Sequence, residues 1–223
     1  MAQIYGPHIV TDGLVLALDA GSVNSYPGSG TTWYDMSGLG NNATLVNGPT
    51  YNSANGGTIV FDGTNDRAQT SYGPAFGDFT VCVWFKDNGS GQWGRIVDKS
   101  YTDGFFISSY FATYGANYVG AGIIEPNPPH GIALAYTPGV YHFFATLRSG
   151  TTQNIYLDGI TQTNTKTVSS NALSATTIAL GDWSNNNVQA FNGNIGSCMI
   201  YNRALSTQEI LQNYTVQKSR FNL

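Results

Sequence analysis

The feature that most constrains the fold of this chain is a series of short runs rich in β-branched and aromatic residues, each stopped by Gly, Asn, Asp or Pro. Such runs predict β-strands, because these side chains fit a pleated surface while the residues that stop them favour turns. The 27 glycines supply the positive-φ positions that tight turns require. The predicted strands cover residues 14–19, 58–62, 79–86, 105–111, 132–136, 141–147, 154–157, 177–180 and 194–201.

One of these runs indicates how the strands pack. Along residues 79–86, Phe and Val occupy the odd positions, whereas Thr, Cys, Trp and Lys occupy the even ones. Successive side chains of a strand point to opposite faces, so both faces of this strand are largely apolar. A strand covered on both faces suits two packed sheets better than one open sheet. The sequence therefore predicts an all-β protein, a two-sheet antiparallel β-sandwich.

A helix is predicted only near the end of the chain. Ser206 can cap the backbone N–H of Glu209, and the Glu209 carboxylate can reach back to the Ser206 N–H. Ile210, Leu211 and Tyr214 then form a short apolar stripe, which predicts one or two helical turns. No composition shift divides the chain, so residues 1–215 are predicted to form one domain and residues 216–223 an extended polar tail.

The composition excludes several classes of protein. Charged residues make up only 10% of the chain, and 9 Lys+Arg stand against 13 Asp+Glu, so there is no basic footprint for nucleic acid. No apolar run is long enough for a membrane span, and the opening MAQIYGPHIVTDG lacks the pattern of a signal peptide. Cys82 and Cys198 lie within strand-like runs, which favours two buried free thiols over a disulfide.

Several segments together resemble the laminin-G-like branch of the concanavalin A-like jelly rolls. The resemblance spans nearly the whole chain and implies a jelly-roll sandwich closed by one short C-terminal helix. The segments that carry it are GLVLALDAG (13–21), WYDMSGLGNNATL (33–45), FDGTND (61–66), FTVCVWFK (79–86), YHFFATL with IYLDG (141–159) and FNGNIGSCMIYNRALSTQEILQNY (191–214).

The opening HIVTDGLVLALDAGSVNSYPGSGTTWYDMSG and the ending EILQNYTVQKSRFNL look like the laminin-G-like proteins that tailed bacteriophages encode, often as virion components. This resemblance implies a virion protein made in the host cytoplasm without a signal peptide. Its implied partners are capsid or tail proteins, further copies of itself as a homo-oligomer, and a glycan of the host surface.

The residues do not support either of two enzyme classes that share this fold. A retaining glycosidase needs two carboxyl groups flanking the scissile bond, but the two glutamates, Glu125 and Glu209, lie in a Pro-rich loop and in the capping box. A polysaccharide lyase needs a base and a charge neutraliser on one face. His142 and Arg148 share one side of a strand, yet Phe144 between them favours packing with a solvated Arg148 at the rim. The sequence therefore predicts a protein that is not an enzyme.

Calcium is the cofactor that the sequence supports best, as a structural ion. Asp62, Asn65 and Asp66 place oxygen ligands on one turn, and hard cations prefer oxygen. The other interpretation is a plain turn held by side-chain-to-backbone hydrogen bonds. Further oxygen ligands could come from other loops, at Asp19, Asp35 and Asp182.

Aromatic residues supply the candidate ligand contacts. Tyr110, Tyr114 and Tyr118 lie in an aromatic-rich stretch, and Trp183 precedes a run of polar residues that includes Asn185. Tyrosine next to Ser, Gly and Asn gives a large contact area with little loss of side-chain entropy. The same aromatics could instead fill the core or bury a subunit interface. These five residues are the predicted ligand-binding positions.

Two functional hypotheses from different classes follow. The first, which we favour, is a non-enzymatic structural protein of a bacteriophage virion, associated with the capsid, tail or fibre, because a surface with few charges costs little to bury against a partner. The second is a carbohydrate-binding adhesin module that recognises a cell-surface polysaccharide. The position of the exposed aromatics distinguishes them: a flat, self-complementary patch favours assembly, and a concave groove favours sugar.

Overall fold

The computed structural model describes residues 8–89, 93–99, 104–111, 115–123, 131–182 and 189–223, without the side chains of residues 110, 111, 115, 116 and 161–164. Within these residues, sixteen strands form two eight-stranded antiparallel sheets, and one α-helix, α1 (Thr207–Gln217), follows the last of these strands. Short 3-10 turns cover Ala54–Gly56 and Lys218–Phe221. Among the residues described, no helix has the length and hydropathy needed to cross a membrane.

The strands occur in the following order: β1 (Leu14–Asp19), β2 (Thr32–Trp33), β3 (Ala43–Val46), β4 (Thr50–Asn52), β5 (Thr58–Asp62), β6 (Arg67–Thr70), β7 (Phe79–Asp87), β8 (Gly94–Asp98), β9 (Phe105–Phe111), β10 (Gly115–Ile123), β11 (Gly131–Ala135), β12 (His142–Ser149), β13 (Thr152–Leu157), β14 (Ile160–Thr167), β15 (Ala179–Leu180) and β16 (Asn192–Tyr201). The first sheet has the order β14-β13-β12-β7-β16-β5-β4, with β1 also paired to β16. The second sheet has the order β11-β10-β9-β8-β15-β6-β3-β2.

This architecture confirms the predicted all-β sandwich with one short C-terminal helix. Each predicted run contains a strand, and those at 14–19, 58–62 and 105–111 have the observed bounds. Strands β2, β3, β4, β6, β8, β10 and β14 have no counterpart among the predicted runs. Some of these are only two to four residues long, and β10 is interrupted by glycine, which weakens the apolar pattern.

The main core lies between the two sheets. The odd positions of β7, represented by Phe79 and Phe85, point into it and are fully buried. The second sheet contributes the facing residues, such as Phe105 on β9, whose ring stacks on Phe79 at a centroid distance of 4.8 Å. Aromatic rings of this kind bury large apolar areas and dominate the energetics of a core.

The other face of β7 is covered as well, which confirms the prediction for that strand. Here the cover is the C-terminal helix rather than a second sheet. Cys82 and Trp84 point outward from the sandwich into a second apolar cluster that contains Ile210 of α1. The α1 helix begins with the predicted capping box at Ser206, and with 11 residues it is longer than the one or two turns expected.

The expectation of an extended polar tail over residues 216–223 is wrong. Residues 216 and 217 continue α1, and Lys218–Phe221 form the 3-10 turn that follows it. Phe221 is buried, while the guanidinium of Arg220 pairs with Asp19 at 2.5 Å. The same guanidinium donates to the backbone carbonyl oxygens of Asn55, Gly57 and Gly196. The Phe221 ring and the Arg220 guanidinium therefore anchor this otherwise polar C-terminal segment to the domain.

Both cysteines are buried and free, as predicted. Cys82 lies opposite Met199 in the pairing of β7 with β16, and Cys198 lies opposite Val83. Cys198 belongs to the core between the sheets, whereas Cys82 belongs to the cluster under α1. The two thiols therefore lie on opposite faces of the first sheet.

The outer edge of β1 is covered by residues 34–42, here termed the Asp35 loop. The Ala17 N–H donates to Asp35 Oδ1 at 2.8 Å, and the Ala17 carbonyl accepts from the Met36 N–H at 2.8 Å. The Asn41 side chain donates to the Val15 carbonyl at 2.8 Å. These contacts satisfy backbone groups of β1 that an exposed edge strand would offer to another chain. The WYDMSGLGNN motif therefore protects this edge of the first sheet.

Candidate binding face

The second sheet carries a polar and aromatic cluster on its outer face, away from the core. Strand β8 is irregular between Arg95 and Val97, so that Arg95 pairs with Ser108 and Asp98 pairs with Phe106. An inserted residue of this kind shifts the alternation of a strand. Arg95 and Asp98, three residues apart, therefore share the outer face. We call this face, with Phe106 and Tyr118, the binding face.

Small residues leave room for the large ones on the binding face. Gly122 of β10 lies opposite Phe106, and a Cβ added at Gly122 would come within 2.5 Å of the Phe106 ring. Glycine is therefore required for Phe106 to lie flat across the neighbouring strand. Phe106 packs with Ala133 of β11 and with the half-buried Tyr118.

The guanidinium of Arg95 stacks on the Phe106 ring, with 3.9 Å between its central carbon and the ring centroid. It also lies 5.9 Å from the ring of Trp93. Arginine over aromatic rings is a favourable cation–π arrangement, which strengthens when water is excluded. Arg95 is 2% exposed, so its charge lies beneath the surface rather than at it.

Hydrogen bonds hold this guanidinium in place. Arg95 Nε donates to Gln189 Oε1 at 2.5 Å, and the Arg95 backbone N–H donates to the Gln189 carbonyl at 2.8 Å. The Asp98 carboxylate lies 3.6 Å from Arg95 Nη1. These contacts tie β8 to the segment that precedes β16 and make the floor of the binding face rigid.

The charged groups of the binding face, Arg95 and Asp98, are shielded from water. Asp98 is fully buried, and burial raises the pKa of its carboxyl group to about 6. The Arg95 charge opposes this shift, whereas the negative charge of Asp182 adds to it. Buried ionisable groups held together in this way are more common at functional sites than elsewhere.

The structure places only part of the predicted ligand-binding set. Tyr118 lies in β10 at the margin of the binding face. Tyr110 lies in β9, but its side chain is outside the described part of the structure, and Tyr114, Trp183 and Asn185 lie outside the described residues altogether.

Arg95 and Asp98 were not predicted. Neither residue has an unusual local motif, and the irregularity that brings them to one face leaves no mark in the pattern of hydrophobic residues. The run from Gly94 to Asp98 does carry two charges within a buried strand. Charges are rarely buried unless they are paired, so this was the one available signal.

The turn proposed for calcium is held by its own hydrogen bonds. Asp62 Oδ1 accepts from the Thr64 N–H at 2.7 Å, and Asp66 Oδ2 accepts from the Asp62 N–H at 3.1 Å. The Asn65 carbonyl accepts from the Asn47 side chain at 2.8 Å. Among the described residues, no three or more His, Cys, Asp or Glu side chains converge in a metal-binding group. These hydrogen bonds are those of the plain turn given as the other interpretation, and calcium binding at this turn stays a prediction that a chelator tests.

The two side chains considered for lyase chemistry have structural contacts. His142 Nδ1 lies 2.8 Å from Asp158 Oδ2, and His142 Nε2 lies 3.1 Å from the Thr137 carbonyl. The expectation of a solvated Arg148 is wrong, because Arg148 is buried and donates to the carbonyls of Phe76 and Asn171. Phe76 precedes β7 and Asn171 follows β14, so this guanidinium joins two segments that lie outside the regular strands.

Comparison with known proteins agrees with the architecture. The sequence profile of the family described as Concanavalin A-like lectin/glucanases superfamily (Laminin_G_3) matches residues 62–211. No curated protein sequence matches the chain significantly. Similar solved structures include the binding domain of Paraclostridial Mosquitocidal Protein 1, with a TM-score of 0.71 and 16% identity, which covers 92% of this chain and 52% of that one.

Two botulinum neurotoxin structures are similar to the same extent. The ligand binding domain of serotype D, in complex with N-acetylneuraminic acid, has a TM-score of 0.72 and 14% identity and covers 93% of this chain. The type G receptor binding domain has a TM-score of 0.71 and 15% identity and covers 92%. In each case the match covers 52% of the other chain, so this protein spans about half the length of these structures.

Proposed function

The chain belongs to the concanavalin A-like lectin/glucanases superfamily, and from that premise we propose that it is a non-catalytic module that binds a cell-surface glycan through the binding face. The observation that carries this proposal is Arg95, which is stacked on Phe106 and hydrogen-bonded to Gln189, while the half-buried Tyr118 packs against the cluster of Phe106 and Ala133. Ligand sites combine an apolar, aromatic lining with a few polar groups held in place.

The arrangement supports binding because its floor is rigid. Phe106 cannot move toward β10 without contacting the Gly122 backbone, and Arg95 is held by two hydrogen bonds to Gln189. A preorganised surface loses little entropy when a ligand orders on it. Tyr118 and Trp93, both half-buried, offer aromatic rings at the margin, where the apolar side of a sugar ring can pack.

The similar structures support a binding role in general terms. Their names describe binding, ligand-binding and receptor-binding domains, and one of them contains N-acetylneuraminic acid. Sequence identities of 14–16% support a common fold and leave the ligand of this chain open. The structural roles of His142 and Arg148 support a role without catalysis, because both side chains bind protein groups.

The test is a glycan screen followed by calorimetry with a monovalent oligosaccharide from the best hit. Tyr118→Ala should weaken binding by about five- to thirtyfold, since one aromatic contact contributes about 1–2 kcal/mol. Tyr34→Ala is the matched control, because Tyr34 is 46% exposed in the Asp35 loop, outside the binding face. A screen that includes bacterial polysaccharides and yields no ligand, or equal affinity for both variants, would count against the proposal.

The proposed setting is the surface of a bacteriophage virion, with capsid or tail proteins as partners. The support is the resemblance of the chain's opening and ending to phage laminin-G-like proteins, together with a low content of charged residues, 10%. Immunogold electron microscopy of particles from a phage that encodes the chain tests this setting. Label at the head, tail or fibre is the expected result, and unlabelled particles would exclude it.

A further inference from the structure

The chain contains four Asn-Gly pairs, and the structure describes all of them. They begin at Asn47, Asn55, Asn88 and Asn192. Asparagine is a chemically labile residue, and it loses its side-chain amide most readily before glycine, which has no Cβ to keep its backbone nitrogen away from the asparagine side chain. Because the four pairs share the same local chemistry, the fold decides which of them react.

Deamidation of such a pair needs a glycine backbone N–H that is free to react. The glycine nitrogen attacks Cγ of the asparagine and loses its proton, while the Cγ–Nδ2 bond breaks and ammonia leaves. A five-membered succinimide ring results. One water molecule then opens the ring at either of its carbonyl carbons, which gives aspartate or isoaspartate. A glycine N–H that already donates a hydrogen bond, or a backbone held in a strand, must first break those contacts.

Two of the pairs lie side by side, where β7 ends and β16 begins. Gly89, which follows Asn88, donates its N–H to Asp87 Oδ1 at 3.0 Å. Gly193, which follows Asn192, is paired on both sides, with β5 and with β7. The Asn88 side chain also donates to Asn192 Oδ1 at 3.0 Å, so the two amides restrain each other. Reaction at either pair therefore requires local opening at this end of the first sheet.

The pair at Asn55 is held by the C-terminal segment. Asn55 and Gly56 belong to the 3-10 turn Ala54–Gly56, and the Asn55 carbonyl accepts from Arg220 Nε at 2.8 Å. A Cβ added at Gly56 would lie 3.0 Å from the same Arg220 nitrogen, so this guanidinium lies over the turn. Arg220 is itself fixed by its ion pair with Asp19. Reaction at Asn55 would have to displace that arginine.

The pair at Asn47 is the least restrained of the four. It lies between β3 and β4, and both of its residues are exposed. Nothing lies within 4 Å of a Cβ added at Gly48, and within the described part of the chain no hydrogen bond involves the Gly48 N–H. The Asn47 side chain reaches the neighbouring turn through a hydrogen bond from Nδ2 to the Asn65 carbonyl at 2.8 Å. The attacking nitrogen is therefore free, and an exposed hydrogen bond holds the amide that leaves.

We propose that Asn47 deamidates spontaneously in the folded protein and that the product releases the turn between β5 and β6. The carboxylate that replaces the amide has no N–H to donate, so it faces the Asn65 carbonyl as a second acceptor. It also adds one negative charge to a protein whose net charge is already −4, next to a turn that contains Asp62 and Asp66. The isoaspartate product further lengthens the backbone between β3 and β4 by one carbon. Asn47 is thus a site at which the protein changes with age without an enzyme.

Mass spectrometry of wild-type protein, aged at mildly alkaline pH with and without denaturing urea, tests the modification site. Chymotrypsin separates Asn47 from Asn55 by cleavage after Tyr51, and the other three pairs are internal controls with the same dipeptide. In the folded protein the conversion of amide to acid should be at least about tenfold faster at Asn47 than at any other pair, because those pairs must open first. In urea the four rates should become similar. Equal rates in the folded protein, a faster rate at another pair, an unreactive Asn47, or a preference that persists in urea would overturn the proposal.

Asn47→Asp tests the released contact, because it supplies the aspartate product directly. Its thermal midpoint should lie about 2 °C or more below that of wild type, since a hydrogen bond between two turns is replaced by repulsion between acceptors. Asn24→Asp is the matched control: Asn24 is also exposed, the substitution adds the same charge, and the midpoint should not change. Equal midpoints for the two variants would overturn the second part of the proposal. Neither experiment uses a glycan, so failure here leaves the proposed function standing.

Discussion

The ring of Phe221, two residues from the last residue described, stacks on the indole of Trp84, with centroids 4.3 Å apart and planes 19° apart. Trp84 also stacks against Tyr214 of α1 at 5.6 Å, and Tyr141 contacts Phe221 at 4.8 Å. This aromatic cluster joins the end of the chain to β7, which lies in the interior of the first sheet between β12 and β16. The outer face of that sheet is therefore completed by the last residues described.

Phe221→Ala should lower the free energy of unfolding by about 3 kcal/mol, because it leaves a cavity against Trp84 in a buried site. Urea denaturation followed by tryptophan fluorescence measures this loss. Leu223→Ala is the control, since Leu223 is 48% exposed, and it should change stability by less than about 0.5 kcal/mol. Equal effects of the two substitutions would show that the aromatic cluster adds little to stability.

Glu209→Gln should lower stability at neutral pH by about 1–2 kcal/mol, because Arg203 binds the Glu209 carboxylate through both of its terminal nitrogens, at 2.6 and 3.1 Å. This interaction lowers the pKa of Glu209 from 4.5 to about 2. The lowered value means that the stabilisation is complete above about pH 4.5 and is lost as the pH falls toward 2.

Urea titrations at a series of pH values test this dependence on Glu209. The difference between wild type and Glu209→Gln should shrink steadily below about pH 4. Asp12→Asn provides the control, because Asp12 also contacts Arg203, at 2.9 Å, but its side chain is 86% exposed. A difference for Glu209→Gln that did not change with pH would argue against the ion pair as its cause.

Asp98 should give the opposite pH dependence. Burial raises its pKa from 3.8 to about 6, so the protonated carboxyl group is favoured in the folded state. Below about pH 4 the carboxyl group of Asp98 is protonated in both the folded and the unfolded state, and its contribution to stability is fully present. As the pH rises through 6 the buried group must ionise, and that contribution is lost. The stability of wild type relative to Asp98→Asn should therefore fall by about 2–3 kcal/mol between those conditions, measured by urea denaturation. A constant difference would contradict the shifted pKa.

Gly122→Ala should disrupt the binding face while leaving the fold in place. The added methyl group would meet the Phe106 ring at 2.5 Å, so the ring and the Arg95 guanidinium stacked on it must move. We expect glycan affinity to fall at least about tenfold, measured by calorimetry. Gly77→Ala is the control, because nothing lies within 4 Å of a Cβ at Gly77. Unchanged affinity in Gly122→Ala would place the glycan elsewhere.

Removal of calcium by a chelator tests the turn at Asp62. Both carboxylates of this turn already accept backbone N–H groups, so we expect the thermal midpoint in excess EDTA to equal that in excess calcium. Differential scanning fluorimetry is sufficient for this comparison. A midpoint that rises with calcium and is insensitive to magnesium would support a structural calcium site, and Asp66→Asn should then abolish the rise.

The sequence predicts those parts of the fold in which burial produces a regular pattern. Strand β7 is a continuous run of β-forming residues with Phe and Val at every second position, and α1 begins with a complete capping box. Both elements are therefore recognised from local residues. Strand β8 escapes prediction because its irregularity and two charges break the alternation. Phe221 escapes because a single ring in a polar segment has no period, and only the folded protein brings it to Trp84.

The same distinction applies to the binding face. The sequence proposes Tyr118 as a ligand contact because aromatics near Asn and Gly are a compositional signal, whereas the placement of Arg95 and Asp98 depends on pairing with residues 13 and 8 positions away. Arg148 shows the converse error. The end of a strand usually faces solvent. At the end of β12, however, the Arg148 guanidinium donates to the carbonyls of Phe76 and Asn171, which are distant in the sequence.

The opposite orientation of Cys82 and Cys198 has a consequence for the conditions that the protein withstands. Since a sheet separates the two sulfur atoms and burial raises the pKa of the Cys82 thiol to about 12, neither an intramolecular crosslink nor attack by external oxidants is favoured. Both cysteines of the chain are free, so no disulfide contributes to the fold and its stability should not depend on the redox potential of its surroundings. The same molecule can be stable in a reducing and in an oxidising compartment.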